Sequence, residues 1–296
     1  MSTNSKLHTE VSTSALIAAT NFIFGTKPGG QGKTLAVHLA ANAASTTGRS
    51  LKLVSVDSVD DGPSKSGSKL ASILTGVQEI SVSPKLAQVV AQGSTALAHW
   101  DTLGEVLARG GALIDVGGNV LQSIFAWARH SKCGSLLKPT ILVVPVTRQA
   151  QSAADAVAII TEARQLGADL PIAKIVIAFN DVHGSTADAP GDAFDALRRL
   201  VANGAVVKCH IEKCLSEVWP NIESDTVDFA RLAAMTPQEY SAHFGVSAFV
   251  GMRGANDFKA WRQRSMAALA EVLFPPKKGE GVPTGAKKTS SGGFGS

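Results

Sequence analysis

Short apolar runs that end in polar residues or glycines recur along the chain. Five of them have the length and residue types of β-strands: NFIFGT (21–26), LKLVSVD (51–57), ALIDVGG (112–118), TILVVPV (140–146) and AKIVIAFND (173–181). The run TILVVPV is apolar and rich in β-branched residues, as expected for a strand that is buried on both faces. Parallel strands bind ligands at their carboxyl ends. The polar endings therefore predict where the chemistry of this chain lies.

Segments with helical spacing lie between and after these runs. They cover residues 34–46, 153–167, 192–204 and 256–274, and we expect Asn256 or Asp257 to cap the last one. Strands that alternate with helices predict an α/β fold: a mostly parallel twisted sheet with helices on both faces. Much of the stretch 182–255 has no clear periodicity.

Composition divides the 296 residues into three parts. We expect a flexible N-terminus over 1–15, a single domain over 16–275, and a disordered tail over 276–296 that is rich in Gly, Pro, Ser and Lys. Of the net charge of +4, most falls in the tail, which holds four lysines and one acid. No apolar run reaches the ~20 residues of a membrane span. The absence of a signal-peptide pattern in 1–15 predicts a cytoplasmic protein without membrane attachment, with nucleoid association left open.

Three cysteines stand at 133, 209 and 214. Cys209, His210 and Cys214 have ligand chemistry, but no fourth ligand stands nearby at zinc spacing. A reduced, structural role is the interpretation that we favour.

The stretch GTKPGGQGKT (25–34) ends like a phosphate-binding loop and is followed by a helix. Glycines let the backbone wrap around an anion, and the helix start adds partial positive charge. Lys33 can reach the β- and γ-phosphates, and the Thr34 hydroxyl can bind Mg²⁺. The alternative is a glycine-rich turn that caps an ordinary helix. We predict a nucleotide site formed by Pro28, Gly29, Gly30, Gln31, Gly32, Lys33 and Thr34.

Acids at the ends of two other strands complete the predicted site. Asp115, which precedes two glycines, is a candidate magnesium ligand. Asp57 and Asp60 in the stretch DSVDD are candidates to orient the attacking water, although a solvated acidic turn is nearly as good an interpretation. Asn180, at the end of the last predicted strand, can hydrogen-bond to a purine.

These elements, in this order, resemble the ParA/MinD family of P-loop ATPases, and the resemblance covers roughly residues 20–185. It implies a P-loop three-layer sandwich, ATP and Mg²⁺ as cofactors, phosphate contacts from Lys33, magnesium contacts from Thr34 and Asp115, and an adenine contact from Asn180. Family members dimerise around ATP and position plasmids, chromosomes or protein machines. Lys27 is then a candidate for the family's lysine that reaches the partner's nucleotide.

The chain departs from the family pattern at three places. The family lysine is expected at Pro28, one residue after Lys27. In the family's D-x-D element, Asp57 matches the first acid, Val59 occupies the second place, and Asp60 comes one residue later. The proline that follows the family's distal Asp is replaced by Gly117.

Three functional hypotheses follow. The first is an ATPase that forms a nucleotide-dependent homodimer and helps to segregate or position DNA or a complex. The second is an adaptor or filament protein with little or no hydrolysis, and the third is a metabolic kinase or ligase on the same fold. Nonspecific DNA contact through Lys259, Arg262, Arg264 and the tail lysines is a further hypothesis, and a solvated helix face is its alternative.

Overall fold

The computed structural model describes residues 19–27, 29–58, 68–82 and 100–275. One seven-stranded sheet runs through the described chain, and every strand pair in it is parallel. The strands are β1 (Asn21–Phe24), β2 (Lys52–Ser58), β3 (Gln78–Val82), β4 (Ala112–Val116), β5 (Thr140–Val146), β6 (Ile172–Asn180) and β7 (Val207–Ile211).

Ten α-helices and three short 3₁₀ turns connect and cover these strands in the described ranges. The helices are α1 (Lys33–Thr46), α2 (Lys69–Ile73), α3 (Asp101–Arg109), α4 (Val120–Ser131), α5 (Ala150–Gln165), α6 (Asp192–Ala202), α7 (Trp219–Ser224), α8 (Phe229–Ala234), α9 (Pro237–Phe244) and α10 (Ala248–Leu273). The 3₁₀ turns span Gly134–Leu136, Gly167–Asp169 and Asp181–His183.

The order of the strands is β3-β2-β4-β1-β5-β6-β7, which places β1 at the centre. From β1 the chain crosses to one side for β2 and β3, and later returns to the other side for β5, β6 and β7. In an open parallel sheet the ligand crevice lies where the strand order reverses, outside the carboxyl ends of the strands. The segment that follows β1 is therefore in the position of a ligand-binding loop.

Two apolar layers hold helices on the two faces of the sheet. One layer packs α3, α4, α5 and α6 on the sheet and includes Leu103, Phe125, Ile159 and Phe194. The other packs α1, α2 and the C-terminal helices on the opposite face and includes Leu39, Leu70 and Phe258. The protein therefore has the three-layer α/β fold that the strand–helix alternation predicts.

The five predicted strands and four predicted helices are present, but the start of the last helix was predicted wrongly. Helix α10 begins at Ala248, and its cap is Ser247, whose hydroxyl accepts a hydrogen bond from Val250 N; neither Asn256 nor Asp257 caps it. Gly251 and Gly254 interrupt the helical sequence pattern in the first turns of α10, so the sequence did not indicate a helix there. An added Cβ on Gly251 would lie 1.9 Å from Ser241 Oγ, and one on Gly254 would lie 2.7 Å from Val218 Cγ2. These glycines let α10 pack closely against its neighbours.

Candidate functional site

The loop between β1 and α1 has the backbone of an anion-binding loop. Gly30 and Gly32 both have positive φ angles, 76° and 78°. Gly32 is the N-cap of α1, and an added Cβ there would lie 2.2 Å from Asn180 Nδ2. Glycine is thus needed at position 32 for both backbone conformation and space. Pro28, a predicted site residue, lies outside the described residues.

Lys33 is buried at the start of α1, with 8 % of its surface exposed. Its Nζ donates to Thr26 Oγ1 over 3.0 Å. Burial lowers the pKa of the Lys33 ammonium, while the charges of Asp115 and Asp57 oppose that shift. A cation in this position gains from an additional anion, and the loop around it is shaped for one.

Thr34 and Asp115 meet beside Lys33. Thr34 Oγ1 donates to Asp115 Oδ2 over 2.8 Å. The contact follows from the sheet, since Asp115 pairs with Phe24 at the end of β1. Burial raises the pKa of the Asp115 carboxyl, as does the charge of Asp57, whereas the hydrogen bond from Thr34 and the charge of Lys33 lower it. A carboxylate and a hydroxyl form an oxygen donor set that suits Mg²⁺.

Asp57 lies next to this group, at the end of β2. Its neighbour Ser55 pairs with Asp115 across the sheet. Asp57 Oδ1 accepts a hydrogen bond from Ser58 N over 2.8 Å, and its carboxylate also lies against Gly117. The structure thus brings Asp57 together with Lys33 and Asp115. Asp60 lies outside the described residues.

Polar residues after β5 hold the loop in place, and the sequence patterns did not identify them. Thr147 Oγ1 donates to Gln31 Oε1 over 2.8 Å, and Gln31 Nε2 lies 3.4 Å from Gln149 Oε1. Ser152 Oγ accepts from Thr147 N over 3.0 Å. Gln31, one of the predicted site residues, therefore ties the loop to the neighbouring strand. The signal for this contact was the polar segment TRQAQS (147–152), directly after an apolar strand.

Asn180 lies against the loop between β1 and α1 and is 1 % exposed. Its Nδ2 lies 3.5 Å from Gln31 O, and its Oδ1 accepts from Val182 N over 3.2 Å. Both ends of the amide thus have partners in the protein. Asn180 also borders the cavity beside the loop, so its contact with adenine stays a prediction.

Lys27 does not extend freely away from the loop. Its Nζ lies 4.0 Å from Asp155 Oδ1 on α5, and 29 % of its side chain is exposed. Its carbonyl oxygen accepts a hydrogen bond from Asn119 N over 2.9 Å. The structure places Lys27 beside the loop, where it is held by a helix of its own chain.

A cavity of 240 Å³ opens next to the loop. The loop and the start of α1 form one wall, through Gly30, Gly32, Lys33, Thr34 and His38. The cavity is also lined by residues of α2, α7, α8 and the turn after β6, among them Lys69, His183, Trp219, Ile222 and Phe229. The cavity thus combines a phosphate-type end with an apolar, aromatic end, which suits a nucleotide.

A second polar cluster lies further along α1. His38 Nε2 lies 2.7 Å from Asp228 Oδ1 and 3.0 Å from Phe229 N, and in the tautomer with its hydrogen on Nε2 it donates to the Asp228 carboxylate. Asn42 Nδ2 donates to the same carboxylate over 3.1 Å, while Arg262 on α10 donates to Asn42 Oδ1 over 2.7 Å. This cluster joins α1 to α8 and α10.

The cysteines form no metal site in the described part of the chain. Cys209 and Cys214 are buried free thiols, and burial raises their pKa values to about 12 and about 11. Within the described ranges, no group of three or more His, Cys, Asp or Glu residues is arranged to hold a metal ion. Cys209 lies in the larger groove, 870 Å³, between α6 and α10 at the β7 edge, well apart from the loop.

The three basic residues of α10 proposed for DNA contact have intramolecular partners, and the tail lysines of the same hypothesis lie outside the described residues. Lys259 Nζ donates to Met235 O over 3.0 Å, and Arg262 donates to Asn42. Arg264 forms an ion pair with Glu212 at 2.8 Å. Among the described helices, none is long and apolar enough to cross a lipid bilayer.

The fold and the loop together define a P-loop type of α/β protein: a central strand, a glycine loop, and a helix that begins with Lys33 and Thr34. No protein-family model matches the chain, and no curated protein matches it by sequence.

The solved structures that are similar to it include the following two. The MinC:MinD cell division protein complex of Aquifex aeolicus is 13 % identical, with a TM-score of 0.43 over 84 % of this chain and 96 % of the other. An ATP complex of McdA from Cyanothece is 12 % identical, with a TM-score of 0.43 over 86 % of this chain and 96 % of the other. The assignment of function rests on the residues of the site.

Proposed function

We propose that the protein is a ParA/MinD-like ATPase that binds ATP with Mg²⁺. The observation that carries this proposal is the meeting of Lys33, Thr34 and Asp115 at the start of α1. Burial lowers the pKa of the Lys33 ammonium and raises the pKa of the Asp115 carboxyl, so it disfavours the charged form of each. A bound ligand of opposite charge stabilises that charged form.

Each residue has a defined task in this proposal. The loop N–H groups and the N-terminus of α1 bind the phosphates, and Lys33 turns from Thr26 to neutralise them. Thr34 and Asp115 would hold Mg²⁺, which supplies charge neutralisation between the phosphate groups. The apolar end of the cavity, with Trp219 and Phe229, receives the base.

We further propose that ATP controls self-association, with Lys27 contacting the nucleotide of the partner. Such a contact requires Lys27 to leave Asp155, to which it is joined by a partly exposed ion pair at 4.0 Å, the longest distance at which such a pair forms. Direct DNA binding has weaker support, because Lys259, Arg262 and Arg264 already have intramolecular partners.

Calorimetric titration with ATP, in Mg²⁺ and in EDTA, tests the binding step. We expect binding in both, and tighter binding with Mg²⁺. Failure of the folded protein to bind any nucleoside triphosphate would refute the proposal. Turnover, measured with and without DNA, separates an ATPase from an adaptor that only binds.

Sedimentation velocity with ATP, ADP or neither tests the association step. A dimer that forms only with ATP, and weakens in Lys27→Ala while ATP affinity of the monomer stays unchanged, supports the contact. A dimer equally stable in this variant would show that Lys27 is only a neighbour of the site.

A further inference from the structure

Gly117, directly after β4, stands in an unusually narrow space. An added Cβ would lie 2.3 Å from Asp57 Oδ1, 3.0 Å from Asp57 Cγ and 3.3 Å from Val56 O. No side chain other than hydrogen fits there while Asp57 keeps its place. Gly117 does not have a positive φ angle. Glycine is therefore required here for space and not for backbone conformation.

The backbone of Gly117 also holds the end of β2. Its N–H donates to Val56 O over 2.7 Å, one residue before Asp57. A proline, which the resembled family has at this place, lacks the N–H for this bond, and its ring would occupy the space of the Asp57 carboxylate. The replacement of proline by glycine therefore goes together with the position of Asp57.

The position of Asp57 brings a second carboxylate to the site. In the parallel pairing of β2 with β4, Ser55 lies opposite Asp115 and Val56 opposite Val116. Asp57 consequently follows at the same carboxyl edge, within electrostatic reach of both Lys33 and Asp115. Its carboxylate adds negative charge where a nucleotide-bound cation would lie.

We propose that Gly117 is a positioning residue whose missing side chain seats the Asp57 carboxylate beside the Lys33–Thr34–Asp115 site. Asp57 acts there as the second carboxylate toward the cation. This inference rests on the proposed function, because it assumes that Mg²⁺–ATP occupies the site. It goes further in assigning a role to the glycine that replaces the proline of the resembled family.

A double-mutant cycle tests the pair. The variants are Gly117→Ala, Asp57→Ala and the two combined, and the readout is Mg²⁺ affinity from the dependence of ATP binding on Mg²⁺ concentration. We expect each single variant to lower the affinity for Mg²⁺ by about tenfold, because residues that support the ligands of a metal contribute about that much to its affinity. The combined variant is expected to be no weaker than Asp57→Ala, since Gly117→Ala acts only by displacing Asp57.

Two further readouts separate positioning from a general loss of structure. Mn²⁺ binding to the nucleotide-free variants, measured by electron paramagnetic resonance, is expected to follow the same non-additive pattern. ATP affinity in EDTA is expected to stay within about twofold of the wild type, because the phosphate contacts of the loop do not involve Gly117.

Additive losses, or unchanged Mg²⁺ affinity in Gly117→Ala, would overturn the inference. If Gly117→Ala does not fold, the combined variant decides: recovery of folding on removal of Asp57 supports the steric pairing, and continued failure contradicts it. If wild-type protein binds ATP but the two residues do not couple, only this inference fails. If wild-type protein binds no nucleotide, the proposed function fails with it.

Discussion

Two polar clusters lie along helix α1, and their acids, Asp115 and Asp228, have pKa values shifted in opposite directions. At its N-terminus, Asp115 has a raised pKa, because burial outweighs the hydrogen bond from Thr34 and the charge of Lys33. Further along the helix, burial also acts on Asp228, but hydrogen bonds from His38, Ala230 N and Asn42 outweigh it and lower its pKa to about 2.

Burial and the number of donors together explain the difference, because Asp115 is 7 % exposed whereas the side chain of Asp228 is 34 % exposed. Asp228 accepts three hydrogen bonds through one oxygen and caps α8, whereas Asp115 accepts a side-chain hydrogen bond from Thr34. A carboxylate with many donors is stabilised by the fold. When the cost of burying a carboxylate exceeds the stabilisation by its hydrogen bonds and neighbouring charges, the carboxylate destabilises the fold until a cation binds. Such a carboxylate is typical of a functional site.

The largest expected effect belongs to Lys33→Ala. Because the variant removes the buried cation aimed at the phosphates, ATP affinity is expected to fall by roughly 2–5 kcal/mol. Titration calorimetry measures this loss, and circular dichroism shows that the fold remains. Lys208→Ala, which removes an exposed lysine on β7, is the matched control. Wild-type affinity in Lys33→Ala would contradict the phosphate-loop interpretation.

Asp228→Ala is expected to lower the free energy of unfolding by about 2 kcal/mol, since it removes a helix cap and leaves His38 and Asn42 without their acceptor. Urea unfolding measures the difference. The folded-state pKa of about 2 lies below the ordinary 3.8, so the stabilisation by the charge is complete above 3.8 and is lost as pH falls through 2. A difference that grows on acidification would argue against this ionised cap.

Asp115→Asn is expected to change the free energy of unfolding in the opposite direction to Asp228→Ala. With a raised folded-state pKa, the ionised Asp115 costs stability at neutral pH, and its neutral replacement is expected to stabilise the nucleotide-free protein by about 1 kcal/mol. The same variant is expected to bind Mg²⁺ more weakly. Urea unfolding and the Mg²⁺ titration check both parts. A loss of stability as large as that of Asp228→Ala would make Asp115 a structural residue.

The smallest effect is expected for Lys27→Ala in the monomer. Its 4.0 Å ion pair with Asp155 is partly exposed, and such pairs contribute under about 1 kcal/mol. Urea unfolding of the nucleotide-free monomer measures the change, with Asp155→Ala as the matched control. Similar small values for both variants are the expected outcome; a large loss for Lys27→Ala alone would mean that Lys27 has a structural role.

The sequence predicted the centre of the sheet better than its edges. Strand β5 is a continuous run of apolar residues, and a strand with neighbours on both sides needs such a run. The edge strands β3 and β7 read QEISV and VKCHI, in which polar residues alternate with buried ones. Such short mixed runs are not distinguishable from loops, and neither strand was predicted.

The same distinction applies to the site. Lys33 and Thr34 were predicted because a local motif carries their chemistry. The contacts of Gly117 with Asp57 and of Thr147 with Gln31 join residues from different strands. They depend on which strands are neighbours and in which register. A sequence without an alignment does not contain that information in any local pattern.

The central position of β1 also affects how the chain folds during synthesis. Phe22 pairs with Leu113 and Ile141, which follow it by 91 and 119 residues. At roughly 5–20 residues per second, the ribosome supplies both neighbours of β1 on the order of ten seconds after β1 itself. Strand β1 and the loop after it are therefore made before β4 and β5, the two strands with which β1 pairs. Chains that end before residue 147 lack Thr147, and those that end before residue 115 lack Asp115 as well, so on the proposed function nucleotide binding requires that β1 has gained both of its neighbours.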